Sequence, residues 1–119
     1  MPDFNTLDEV LREIADGKMV IVVDDESDDA EGSIIMAAER ITAADVNFMS
    51  RQGGGLVAVA GTSERVETLN LEIIGLRVNT LRDRNFGVTI DAREGTTTGN
   101  SAADRAVTIR RFADPAATA

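Results

Sequence analysis

Apolar positions along the chain switch between helical and extended spacing, and that switching marks out the elements. Thr6-Leu7-Asp8-Glu9 has the form of a capping box, with Thr at the cap and Glu three residues on. Leu7, Val10, Leu11 and Ile14 then recur at helical spacing until Gly17, predicting an amphipathic helix over 7–16. Met19 to Val23 is a continuous apolar run of β-branched character, which predicts a strand buried on both faces. Ser33 to Ala38 reads as a second strand. Thr42 is placed to cap a helix that carries Val46, Phe48 and Met49 and ends near Gly53-Gly54-Gly55. Leu56 to Ala60 reads as another short buried strand, Thr62 as the start of a helix through Leu69, and Phe86 to Asp91 as a strand. Residues 70–85 follow neither period. Glu94 to Asn100 is a Thr/Gly loop, after which Ser101, with Asp104 three residues on, caps a last helix to about Phe112. Residues 114–119, with Pro115 and an Ala/Thr end, are expected to fray.

Strands alternating with helices predict an α/β or α+β sheet protein. With 119 residues, no internal repeat and no linker, the expectation is one domain over 1–119, large enough for a modest core only. The absence of cysteine removes disulfides and thiol chemistry. The absence of histidine removes the commonest general base and metal ligand, so catalysis would fall to carboxylates, Lys, Arg or hydroxyls. A formal net charge of -9 disfavours nucleic acid and anionic membrane as partners. No apolar run approaches the roughly 18–20 residues that span a bilayer. The N-terminus has no basic segment followed by an apolar one, so a cytoplasmic protein is expected.

Three segments could carry chemistry. Asp24 to Glu31 holds six carboxylates in eight residues after the first predicted strand. Crowded carboxylates can hold Mg²⁺, which prefers oxygen ligands, and they raise one another's pKa. Taken alone, the plainer reading of the same stretch is a solvated acidic turn. It is a poor EF-hand, because Asp29 stands where that loop needs Gly. Glu94-Gly95-Thr96-Thr97-Thr98-Gly99-Asn100-Ser101 leads into a helix, and hydroxyls with free amides at a helix N-terminus suit a phosphate. The plainer reading is a strand-to-helix turn with a Ser cap, and without a Lys after the glycines it is no P-loop. Arg51-Gln52-Gly53-Gly54-Gly55 permits close backbone approach and says little alone.

The order of these segments resembles the 3,4-dihydroxy-2-butanone-4-phosphate synthase family. There the first strand is followed by Asp-Asp-Glu-Asp-Arg-Glu-Asn-Glu-Gly-Asp; this chain has Asp24-Asp25-Glu26-Ser27-Asp28-Asp29-Ala30-Glu31-Gly32-Ser33. The family's Arg-His-Gly-Ser-Gly corresponds to Arg51-Gln52-Gly53-Gly54-Gly55. Its Phe-Thr-Val-Ser-Val-Asp-Ala and Glu-Gly-Val-Thr-Thr-Gly-Ile-Ser-Ala-Ala-Asp-Arg correspond to Phe86 to Ala92 and Glu94 to Arg105. The resemblance covers nearly the whole chain.

It implies a truncated version of a three-layer fold around a mixed, twisted sheet. It also implies a Mg²⁺-dependent homodimeric lyase of riboflavin biosynthesis, which converts ribulose 5-phosphate to formate and 3,4-dihydroxy-2-butanone 4-phosphate. The substrate positions would be Asp28, Ser33, Thr97 and Ser101, and the metal positions Asp29, Glu26 and Glu31. The departures lie in the acidic loop. Asp28 replaces an Arg, Asp29 replaces a Glu, and Ser33 replaces an Asp. The family's downstream Arg-Pro-Gly-His and Arg-Gly-Gly-His-Thr segments are expected to lie beyond Ala119. Two functions therefore stand side by side. One is the family's lyase activity, and the other is a pseudoenzyme or binding module that acts by dimerising or by binding cations weakly. Apolar side chains at Val20, Val22, Leu56, Val57, Val88 and Ile90 are expected to need cover, which points to a dimer.

Overall fold

The computed structural model describes residues 3–24, 31–74 and 86–119. Its elements follow the order helix α1 (Leu7–Ala15), strands β1 (Val20–Val23) and β2 (Gly32–Ile35), a 3-10 turn (Ala38–Arg40), then helices α2 (Ala43–Gly53), α3 (Ser63–Thr68) and α4 (Ala102–Ala113). The class is α+β. Its sheet, among the described residues, is the antiparallel pair β1–β2, in which Val20 faces Ile35 and Val23 faces Gly32. No helix among the described residues is long and apolar enough to cross a membrane.

Local chemistry sets the helix ends. Thr6 and Glu9 close a reciprocal capping box on α1, with the Thr6 N–H donating to Glu9 Oε2 at 2.8 Å. Thr42 and Asp45 close a second on α2, with the Thr42 N–H donating to Asp45 Oδ2 at 2.9 Å. Gly54 ends α2 at φ 66°, a left-handed cap that a side chain would resist.

The core lies where α2 crosses α4 beside the 3-10 turn. Ile41, Val46, Ala106 and Ile109 are buried there, with Met36, Ala38, Met49, Val57, Val59 and Ala102 packed around them. Three arginines tie α4 to the rest. Arg110 Nη1 donates to Ile41 O at 2.7 Å, and Arg105 Nη1 to Ser50 Oγ at 3.1 Å. Arg65, on α3, donates to the carbonyls of Phe112 and Asp114 at the end of α4, and its guanidinium lies over the Phe112 ring.

The strands depart most from expectation. The run 19–23 forms β1, yet only Val20 is partly covered, and Ile21 is 71% exposed. The hairpin packs against α1 and α2. No second layer of described residues covers its outer face. The second strand ends at Ile35 rather than Ala38, because the chain turns into the 3-10 turn. Segment 56–60 forms no strand among the described residues. Val57 and Val59 reach the core while Leu56 points out, 93% exposed. Segment 86–91 makes a single antiparallel bridge, Ile73 to Gly87. Residues 114–119, expected to fray, hold a turn in which the Ala117 N–H donates to Asp114 O and Ala117 is buried.

Candidate functional site

The acidic segment is the connection of the β1–β2 hairpin. Its two ends meet, since the Asp24 N–H donates to Glu31 O at 3.4 Å one step beyond the Val23–Gly32 pair. Glu31 is exposed at this end of the hairpin, and Ser33 is exposed on β2 opposite Val22. Glu26, Asp28 and Asp29 lie outside the described residues. Among the described residues no three carboxylates gather as a metal site.

The Thr/Gly loop is built around a carboxylate that sequence reasoning treated only as part of a cap. Ser101 caps α4 as expected, its Oγ accepting from the Asp104 N–H at 3.0 Å. The box is not reciprocal, however. The Asp104 side chain turns into the loop, where Oδ2 accepts from the Thr97 N–H (3.0 Å), the Thr97 hydroxyl (2.8 Å) and the Gly99 N–H (3.0 Å). Asp104 is buried, and these bonds, led by that from the Thr97 hydroxyl, hold its carboxyl below the usual range.

Two further contacts shape the loop. Thr96 donates to Ala92 O at 2.6 Å, and the Ala92 N–H donates to Thr108 Oγ1 at 3.0 Å on α4. Gly99 sits at φ +82° with the Asp91 carboxylate against its Cα, in the space a Cβ would need. The predicted pair Thr97 and Ser101 is thus brought together on Asp104. No hydrogen bond or ion pair among the described residues joins this loop to Glu31 or Ser33. The Gly-rich segment after Arg51 serves as the end of α2, and Arg51 Nε donates to Asn47 Oδ1 at 3.2 Å.

Asp104 was half visible in the sequence. Ser-x-x-Asp before an apolar helix signals a cap, but nothing in it says that the carboxylate bonds the preceding loop instead of the cap N–H. Asp91 and Arg65 were not legible, because their contacts reach residues distant in sequence.

A family model described as 3,4-dihydroxy-2-butanone 4-phosphate synthase matches residues 8–119. The 3,4-dihydroxy-2-butanone 4-phosphate synthase of Pseudomonas aeruginosa is 47% identical over 109 residues, covering 92% of this chain and 30% of that protein. The riboflavin biosynthesis protein RibBA of Aquifex aeolicus is 45% identical over 114 residues, covering 94% and 28%. A solved 3,4-dihydroxy-2-butanone 4-phosphate synthase in complex with two magnesium ions superposes with a TM-score of 0.89 at 35% identity, over 97% of this chain and 54% of that one. A two-domain synthase from A. baumannii gives a TM-score of 0.83 at 38% identity, over 96% and 33%. The chain therefore spans under a third of these curated relatives and about half of the first solved structure.

Proposed function

We propose that this chain, which belongs to the 3,4-dihydroxy-2-butanone 4-phosphate synthase family, carries part of a riboflavin-pathway sugar-phosphate site and does not by itself perform the family's reaction. The observation that carries this reading is the substitution pattern in the hairpin connection and the start of β2, where Asp28 and Asp29 in the connection and Ser33 on the strand replace Arg, Glu and Asp of the family motif. Two unit charges about 4 Å apart interact by on the order of 4 kcal/mol at an effective dielectric of about 20. Exchanging Arg for Asp turns that attraction into a repulsion of similar size. Even a third of the combined change is about a hundredfold in affinity for a phosphate ester. Asp29 keeps a carboxylate on a shorter side chain, and Ser33 removes one.

Mg²⁺, which a solved relative binds, would be held by Asp29 with Glu26 and Glu31. It would supply polarisation of substrate oxygens. The donor set is all oxygen and has the chemistry the ion needs. Reduced substrate charge matching at Asp28 and the shorter Asp29 leave that ion and the sugar phosphate poorly positioned against each other. Residues outside the span shared with the relatives would complete the site.

Formate release from ribulose 5-phosphate tests the reading. The unmodified chain should give none above background. The quintuple change Ser27→Asp, Asp28→Arg, Asp29→Glu, Ala30→Asn and Ser33→Asp should give none alone. It should give formate when the family's C-terminal half is added or fused. Formate from the unmodified chain alone would overturn the proposal.

The exposed apolar side chains Ile21, Val22, Leu56 and Val88 support a homodimer. Light scattering should report twice the 12.7 kDa chain mass at roughly 50 µM, and a stable monomer there would count against it.

A further inference from the structure

The register of the β1–β2 hairpin separates its side chains onto two faces, and both are bare. Side chains alternate along a strand, and directly paired residues share a face. Ile21 pairs with Ile34 and Val23 with Gly32, so these four positions lie on one face. A Cβ on Gly32 would stand within 4 Å of both the Ile21 and Val23 side chains, as that register requires. Val22 and Ile35 lie on the other face. Ile34 reaches the end of α2 near Gly53. Beside it Ile21 is 71% exposed, while across the hairpin Val22 and Ile35 are 47% and 41% exposed. A two-stranded hairpin is marginal without further strands or packed helices, and a sheet inside a domain has a layer on each face.

The surface area agrees. The chain exposes 9678 Å², against roughly 6,200 Å² for a folded monomer of 12.7 kDa. Counting the 19 residues outside the described set at the full exposure of an unfolded chain still leaves a surplus of roughly 1,200 Å². A standard interface removes about 800 Å² from each partner. One two-fold contact with a second copy covers one face of each hairpin, because the two faces point in opposite directions.

We infer that the hairpin is an inner layer with two different covers: a second copy of this chain on one face and, on the other, an apolar segment of polypeptide from outside these 119 residues. The magnesium-bound synthase superposes over 97% of this chain, yet that span is only 54% of its own chain, so an arrangement of this kind there sits beside a comparable length of further polypeptide. The inference rests on the proposed homodimer for the first cover only. The second is argued from the opposed faces and the surplus area.

The test exploits the absence of cysteine from this chain. Ile21→Cys and Val22→Cys place single thiols on opposite faces, and iodoacetamide measures access to each. Relative to about 0.5 µM, the chain alone at about 50 µM should protect one thiol and leave the other as reactive as before. Co-expression with the part of the magnesium-bound synthase outside the shared span should then slow alkylation of the second thiol about tenfold, the effect of a partner at about ten times its dissociation constant. No turnover is read, so a failed formate assay leaves this result untouched. Failure of the dimer reading alone would show as no protection in the chain by itself, with one thiol still protected by the added segment. Protection of both thiols in the chain alone would assign both faces to second copies and overturn the inference, as would equal alkylation with and without the segment. If a cysteine variant does not fold, hydroxyl-radical footprinting of Ile21 and Val22 in the unmodified chain reads the same protections.

Discussion

Gly99→Ala and Gly54→Ala place the same methyl group on two left-handed backbones with different surroundings. Gly54 has φ +66° and nothing within 4 Å of a Cβ. Gly99 has φ +82°, and a Cβ there would stand 2.6 Å from Asp91 Cγ and closer still to one carboxylate oxygen. The left-handed conformation costs an alanine roughly 1–2 kcal/mol. Loss of glycine's freedom in the unfolded chain returns roughly 0.4–1 kcal/mol. Both terms are shared by the two sites, so their difference isolates the contact. Forcing a methyl into a filled space costs roughly 1–3 kcal/mol. At about 4 °C per kcal/mol for a domain of this size, Gly99→Ala should melt roughly 4–12 °C below Gly54→Ala. The assay is thermal unfolding by circular dichroism on both variants and on Gly99→Ala in an Asp91→Ala background. With the carboxylate removed, the Gly99 substitution should cost about what the Gly54 one does, giving a coupling of the same 1–3 kcal/mol. Equal melting of the two single variants, or no recovery in the double variant, would refute the placement of Asp91 over Gly99.

Two further outcomes follow from the same packing. The folded-state pKa of Asp104 lies below its ordinary value of 3.8, so its bonds contribute stability above about pH 4 that is lost as pH falls through the lower folded value. Urea unfolding at about pH 5 and about pH 3 should therefore show a smaller acid-induced loss in Asp104→Asn than in the unmodified protein, and parallel losses would contradict the bonding. Arg65→Leu removes two hydrogen bonds to the end of α4 and should lower stability by about 1–3 kcal/mol, with Arg65→Lys recovering only part because a point charge cannot reproduce the fork. Chemical denaturation measures both, and full recovery by Lys would show that charge alone matters there.

The helices were legible because their signals are local. Thr6 with Glu9, and Thr42 with Asp45, state their caps within four residues, and the structure closes both boxes. Ser101 with Asp104 has the same spelling and a different outcome, since Thr97 and Gly99 compete for the carboxylate and win it. The strands were read less well. A run such as Val20 to Val23 records what the segment tolerates burying, but whether it is buried depends on what lies across it. Leu56 and Val57 illustrate the point: adjacent apolar residues, one 93% exposed and the other against the core. Of the candidate site, the Thr/Gly loop was identified and its organiser was not. Glu31 and Ser33 fall on the hairpin as their sequence order requires, while Glu26, Asp28 and Asp29 lie outside the described residues.

The closure of the hairpin by Asp24 and Glu31 has a consequence for substitutions between them. Because the strand ends are already paired at Val23 and Gly32, the eight intervening positions, Asp24 to Glu31, begin and end at fixed neighbouring points. Their side chains can be exchanged without shifting the register of β1 against β2, and modest changes in their number carry little additional closure entropy. Substitutions between those ends would therefore act on ligand chemistry while the α2–α4 core holds the scaffold constant.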